Sequence, residues 1–130
     1  MSTTDNASSS KAMIWTGRVL STLPVLLLLM SAYFKFFPSP EAIEGTAKMG
    51  WDMKVFPTLG IVELACTLLY VIPRTSVLGA ILLAGYLGGA TATHVRVGDA
   101  FIMPVILGVV LWLGLWLRDA RLRALLPFKR

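Results

Sequence analysis

The chain reads as four long apolar blocks set between short polar segments, at residues 14–34, 55–72, 76–94 and 101–117. A block of about 20 residues, rising about 1.5 Å per residue, crosses a hydrocarbon layer of about 30 Å as a single helix. The pattern therefore predicts four membrane-spanning helices. The second block begins near Pro57 and stops at Pro73-Arg74, a helix breaker followed by a charge. The third carries Gly79, Gly85, Gly88 and Gly89 with Ala80, Ala84, Ala90 and Ala92. Small residues let helices approach closely in lipid, so this helix is expected at the centre of the bundle, packed through Gly85, Gly88 and Gly89. The fourth has Trp112 and Trp116 near its end, where indole rings favour the headgroup boundary, and it stops at Arg118.

Blocks two and three are joined only by residues 73–75, and blocks three and four by residues 95–100. Such short connections force antiparallel neighbours. The first connection, residues 35–54, is longer and contains Pro38, Pro40, Glu41, Glu44, Gly45, Gly50 and Trp51. It reads as a lid or as a short interfacial helix. Residues 1–10 are too poor in apolar side chains to fold and read as a disordered tail. The expected division is a tail over 1–12, a membrane domain over 13–118 and a basic cytoplasmic tail over 119–130. A cleaved signal peptide is the rival reading of the first block, because Lys11 and Arg18 precede its apolar run. Ser31-Ala32-Tyr33-Phe34-Lys35 is a poor cleavage site and argues against it.

Composition agrees with membrane burial, since 56% of residues are hydrophobic and only 15% are charged, with a mean hydropathy of +0.74. The net charge of +5 does not point to nucleic acid, because no run of bases is interleaved with stacking aromatics. The basic residues instead flank the apolar blocks. Lys11, Arg18, Arg74, Arg118, Arg121, Arg123, Lys129 and Arg130 fall on one side, and Lys35, Lys48, Lys54 and Arg96 on the other. This bias of eight to four predicts that both termini are cytoplasmic, with the long first loop outside. The fold class expected is an all-α bundle of four transmembrane helices, a multi-pass protein of a plasma membrane such as the bacterial inner membrane.

Chemistry is confined to a few positions. Glu63 is the only acidic residue inside an apolar block, and a carboxylate at that depth requires pairing or protonation unless it faces the bundle interior. Glu63, Cys66, Thr67 and Tyr70 recur at steps of three and four, so they share one inward face. His94 ends the third block near Lys35 and Arg96, and these three with Glu63 are expected to form one charged cluster at the outer mouth. Within it Glu63 and His94 are the candidate catalytic residues, as a proton-sharing pair. Lys35, Arg96, Tyr70, Tyr86 and Trp51 are the candidate ligand-binding residues. A single cysteine and a single histidine supply neither an intramolecular disulfide nor a site built from two histidines, so no metal site is expected.

Over residues 15–118 the sequence resembles the DoxX-like family. The resemblance rests on Ser31-Ala32-Tyr33-Phe34-Lys35, Gly60-Ile61-Val62-Glu63-Leu64, Gly79-Ala80 and, most specifically, Tyr86-Leu87-Gly88-Gly89-Ala90-Thr91-Ala92-Thr93-His94-Val95-Arg96. It implies a four-helix membrane bundle and an accessory role in a quinone-linked oxidoreductase or respiratory-type complex, with quinone as the cofactor and electrons supplied by a partner. The chain departs from a self-sufficient oxidase in having no haem ligands and no cysteine pair. Two other functions are compatible with the same residues. One is a binding or transport module for a small lipophilic molecule, and the other is a structural subunit of a membrane complex. Membrane lipids are expected partners, nucleic acid is not, and a homo-oligomer is compatible with the pattern.

Overall fold

The computed structural model describes residues 10–129, and those residues form helices joined by short turns, without strands. Of the N-terminal tail expected over 1–12, residues 1–9 lie outside the described residues, and the remainder already contributes to the first helix. Helix α1 (Lys11–Phe36) starts where the Ser10 side chain accepts from the Met13 amide, satisfying one of the free N–H groups of the first turn. It ends ahead of Pro38, and the Phe37 amide donates back to the Tyr33 carbonyl. The long first loop contains α2 (Pro40–Lys48), so the interfacial-helix reading is realised in its secondary structure. Ser39 caps α2 by accepting from the Ala42 amide, and Pro40 sits in the first turn, where its missing N–H costs nothing.

Gly50, at φ +78, turns the chain out of α2 in a conformation that favours glycine. A single 3₁₀ turn (Met53–Val55) then leads into α3 (Phe56–Val71), whose first turn carries Pro57. Pro73 breaks the chain, and α4 (Ser76–Arg96) runs back antiparallel to α3. After a turn through Gly98, α5 (Ile102–Arg118) descends beside α1, and the short α6 (Ala120–Leu125) follows. Three stretches, Lys11–Phe36, Met53–Val71 and Pro73–Arg96, are long and apolar enough to cross a membrane. Ile102–Arg118 has 17 residues, at the lower limit of about 17–25 for a span.

The four long helices form a ring in which α1 packs on α3 and α5, and α4 packs on the same two. Every neighbouring pair is antiparallel. Leu28, Leu83, Leu87, Leu111 and Leu115 fill the middle, while Ser21, Glu63, Thr67 and Ser76 are also buried. Large apolar side chains point outward from every long helix, among them Leu26 (58% exposed), Ile61 (60%), Ile81 (54%) and Val109 (60%). Large apolar side chains facing outward on every long helix, with the few buried polar groups turned inward among the leucines, mark an integral membrane protein.

The ring corrects the expected position of the third apolar helix. α4 is not central, and the most extensive interface is α1 on α5. Nothing stands within 4 Å of where a side chain would begin at Gly85, Gly88 or Gly89. Close packing is carried by other glycines. A Cβ at Gly17 would lie 2.6 Å from the Gly114 carbonyl oxygen, and one at Gly114 would lie 2.5 Å from Ser21 Oγ. A Cβ at Gly79 would run into the backbone of Tyr70 on α3. A small residue in lipid reveals that something can come close, and neither its spacing nor its number reveals whether something does.

Candidate functional site

α2 lies over one end of the bundle, and beneath it is a cavity of about 620 Å³ walled by α1, α2, α3 and α4. Phe34, Trp51, Phe56 and Leu59 supply much of its apolar surface. Gly85 and Gly89 also line it, so the glycines expected at a helix contact hold space open instead.

Lys35, in the last turn of α1, reaches the carboxylate of Glu63 on α3, with Nζ 3.0 Å from Oε1. The pair is sheltered, with side-chain exposures of 16% for Lys35 and 2% for Glu63. Charges taken out of water need an opposite charge and further polar groups close by, and both are present. Lys35 Nζ donates to Ser31 Oγ, one turn earlier on α1, at 2.8 Å. Ser31 and Tyr86 stand close enough to the Glu63 carboxylate to act on it electrostatically. The rings of Phe56 and Tyr86 each lie 5.9 Å from the ammonium, within range of a cation–π attraction. An ammonium has three N–H donors. Glu63 and Ser31 engage two, which leaves one for the cavity that Lys35 lines.

His94 lines the mouth of the cavity, but its acidic neighbour is Asp99, with Nδ1 3.7 Å from Oδ2. The Asp99 amide donates to the His94 carbonyl at 2.9 Å, so the turn after α4 holds the two together. The expected cluster of four is thus divided: Lys35 and Glu63 pair with each other, His94 faces Asp99 instead, and Arg96 joins neither pair. Glu63 meets Lys35 and not His94, because Tyr86, eight residues before His94 and about 12 Å lower along α4, is the residue that faces Glu63. Arg96 is engaged elsewhere, donating to the Met49 carbonyl at 2.7 Å and so tying the end of α4 to the segment after α2. Trp51 and Tyr86 do line the cavity.

Tyr70 is at the other end of the bundle, seven residues and about 10 Å further along α3 than Glu63. Its hydroxyl donates to the Leu111 carbonyl of α5 and lies 3.0 Å from Ser21 Oγ of α1. Arg118 donates from Nε to the same Ser21 Oγ at 3.1 Å and stands 5.6 Å from the Tyr70 ring centre. This is a structural knot, not part of the cavity. Ser31 is the functional neighbour missed in the sequence, although its spacing of four from Lys35 on one helix was a legible signal.

The order of the motifs along the helices, the Lys35 and Glu63 pair between the first two spans, and the glycine-lined wall ending in His94 and Arg96 can be set against known families. A sequence model of the DoxX-like family matches residues 19–114. The chain belongs to the DoxX-like family. The matched stretch of this DoxX-like protein contains every residue of both charge pairs and ends before α6. No curated protein and no solved structure matches the chain.

Proposed function

We propose that this DoxX-like protein is a membrane module that binds a small, largely apolar molecule beneath α2. The observation that carries the reading is the cavity itself. Its volume of about 620 Å³ falls within the range of about 300–1,000 Å³ usual for small-molecule sites. Its walls combine aromatic and aliphatic surface with a few convergent polar groups, chiefly Lys35, Tyr86 and His94. The eight-to-four bias of basic residues supports a topology with both termini cytoplasmic and the cavity end on the opposite side.

An accessory role in a quinone-linked oxidoreductase is the narrower form of the same proposal, since a quinone is a small apolar molecule with carbonyl acceptors. Purification in mild detergent followed by mass spectrometry of the bound small molecules tests both. A quinone that co-elutes with the wild type and is lost from Gly89→Leu, which adds a side chain at the cavity wall, supports the narrower form. Another apolar molecule with the same behaviour supports the broader one alone. Identical small-molecule content in the two proteins refutes binding in this cavity.

A further inference from the structure

We infer that the cavity selects an uncharged amphiphile with a hydrogen-bond-accepting head, such as an ester or ketone carbonyl, and discriminates against carboxylate and ammonium heads. The inference rests on the binding reading above and specifies the chemistry of the occupant.

Its basis is the way charge is balanced around the wall. Two residues with a basic side chain line the cavity, Lys35 and His94, and each already faces a carboxylate of its own, Glu63 at 3.0 Å and Asp99 at 3.7 Å. Among the described residues, no Asp or Glu lines the cavity. A carboxylate head entering beside Lys35 therefore meets an ammonium whose charge Glu63 already offsets. It also brings a second negative charge close to Glu63 in surroundings where such repulsion is poorly screened. An ammonium head meets a like charge at Lys35 with no free carboxylate on the wall to receive it. A neutral acceptor needs only the remaining N–H of Lys35 and leaves the ion pair undisturbed.

The rest of the wall suits an apolar body attached to such a head. Phe34, Trp51, Phe56 and Leu59 supply contact area, and the bare backbone at Gly85 and Gly89 leaves room for it. Lys35 is then the anchoring residue, and Glu63 is a positioning residue that sets which head charge is accepted.

Trp51 provides a local reporter, because it lines the cavity. In a protein with Trp15, Trp112 and Trp116 each replaced by Phe, the probes are a dibrominated long-chain fatty acid, its methyl ester and the trimethylammonium amphiphile with the same chain. Quenching of Trp51 is measured in phosphatidylcholine nanodiscs at about pH 9, where the carboxylic acid is ionised. It is expressed per mole of membrane-bound probe and corrected with the Gly89→Leu protein, whose side chain is placed to narrow the cavity. The ester is expected to bind about tenfold or more tightly than either charged probe. Glu63→Gln, which leaves Lys35 without its counter-charge, is expected to shift the preference toward the carboxylate.

The wild-type series decides the matter even if that variant does not fold. A carboxylate or ammonium probe that binds as well as the ester overturns the head selectivity while leaving the cavity as a binding site. Failure of all three to quench beyond the Gly89→Leu control overturns the binding reading and this inference with it. A folded Glu63→Gln protein with an unchanged preference overturns the role given to Glu63.

Discussion

At the Arg118 end of the bundle, α1, α3 and α5 are drawn together. Gly17 and Gly114 bring two helix backbones into contact, and the Tyr70 hydroxyl joins α3 to Ser21 and to the Leu111 carbonyl. At the cavity end the helices are held apart, with α2 laid across them and Gly85 and Gly89 facing open space. Glycine serves closure in one place and vacancy in the other, and each end has its own polar centre. The closed end is tied by hydrogen bonds to backbone and hydroxyl groups, whereas the open end is tied by an ion pair that keeps a donor in reserve. A rigid base beneath an open mouth is a suitable division for a binding module, because the site is preformed without the whole bundle being loose.

Enlarging one glycine at each end should separate the two regions most clearly. Gly79→Leu must displace the α3 backbone at Tyr70, so a destabilisation of about 3 kcal/mol or more and little folded protein are expected. Gly89→Leu meets nothing within 4 Å and should fold normally while losing any occupant of the cavity. Thermal unfolding in detergent, followed by circular dichroism, checks both. Equal losses of stability would erase the distinction between the ends.

Next in size is Glu63→Leu, which leaves Lys35 sheltered without its carboxylate and should cost about 3 kcal/mol. Adding Lys35→Leu should restore much of that loss, because the cost arises from the unpaired charge and not from the missing pair. Tyr70→Phe removes the hydroxyl that joins α3 to α5 at the closed end. A loss of about 1 kcal/mol is expected in the same unfolding assay, with no change in what the cavity binds.

The smallest effect concerns α6. Burial pushes the Asp119 carboxyl up, but hydrogen bonds from Arg121 outweigh it and hold it below the ordinary 3.8. A carboxyl held low in the folded state stabilises above its unfolded value and loses that contribution as pH falls through its folded value. The docking of α6 should therefore weaken only below about pH 3.8, and amide exchange at Leu122 and Arg123 should rise there while the long helices stay protected. Loosening already at pH 5 would contradict the role of Asp119 as the cap.

The spans were legible because a run of some twenty apolar residues has few other physical meanings, and observed helix ends fall within about three residues of the expected ones. The interfacial helix was legible as one of two alternatives, through Ser39 and Pro40 at its start. Ring order was not, since short connections fix which helices are antiparallel without fixing which stand diagonally. That gap explains the partner assigned to Glu63. His94 and Lys35 both lie near the same end, and only the arrangement of α1 beside α3 brings Lys35 to the carboxylate. Tyr70 shared a face with Glu63 as expected, yet two further helical turns carried it out of the cavity and into the closed end. Cys66 is buried in the core cluster next to that same face.

The unequal lengths of α1 and α5 bear on the surrounding bilayer. These two helices form the most extensive interface of the ring, yet one has 26 residues and the other 17. At about 1.5 Å per residue they differ by roughly 13 Å in reach. Most of that excess is not apolar, because α1 carries Lys11 and Arg18 in its first turns and its uncharged run, residues 19–34, is about as long as that of α5. Both flanks thus offer roughly 24 Å of apolar length against a hydrocarbon layer of about 30 Å, a mismatch met by local thinning of the bilayer at a cost of fractions of a kcal/mol per Å. The protein is thereby matched to thin or compliant lipid.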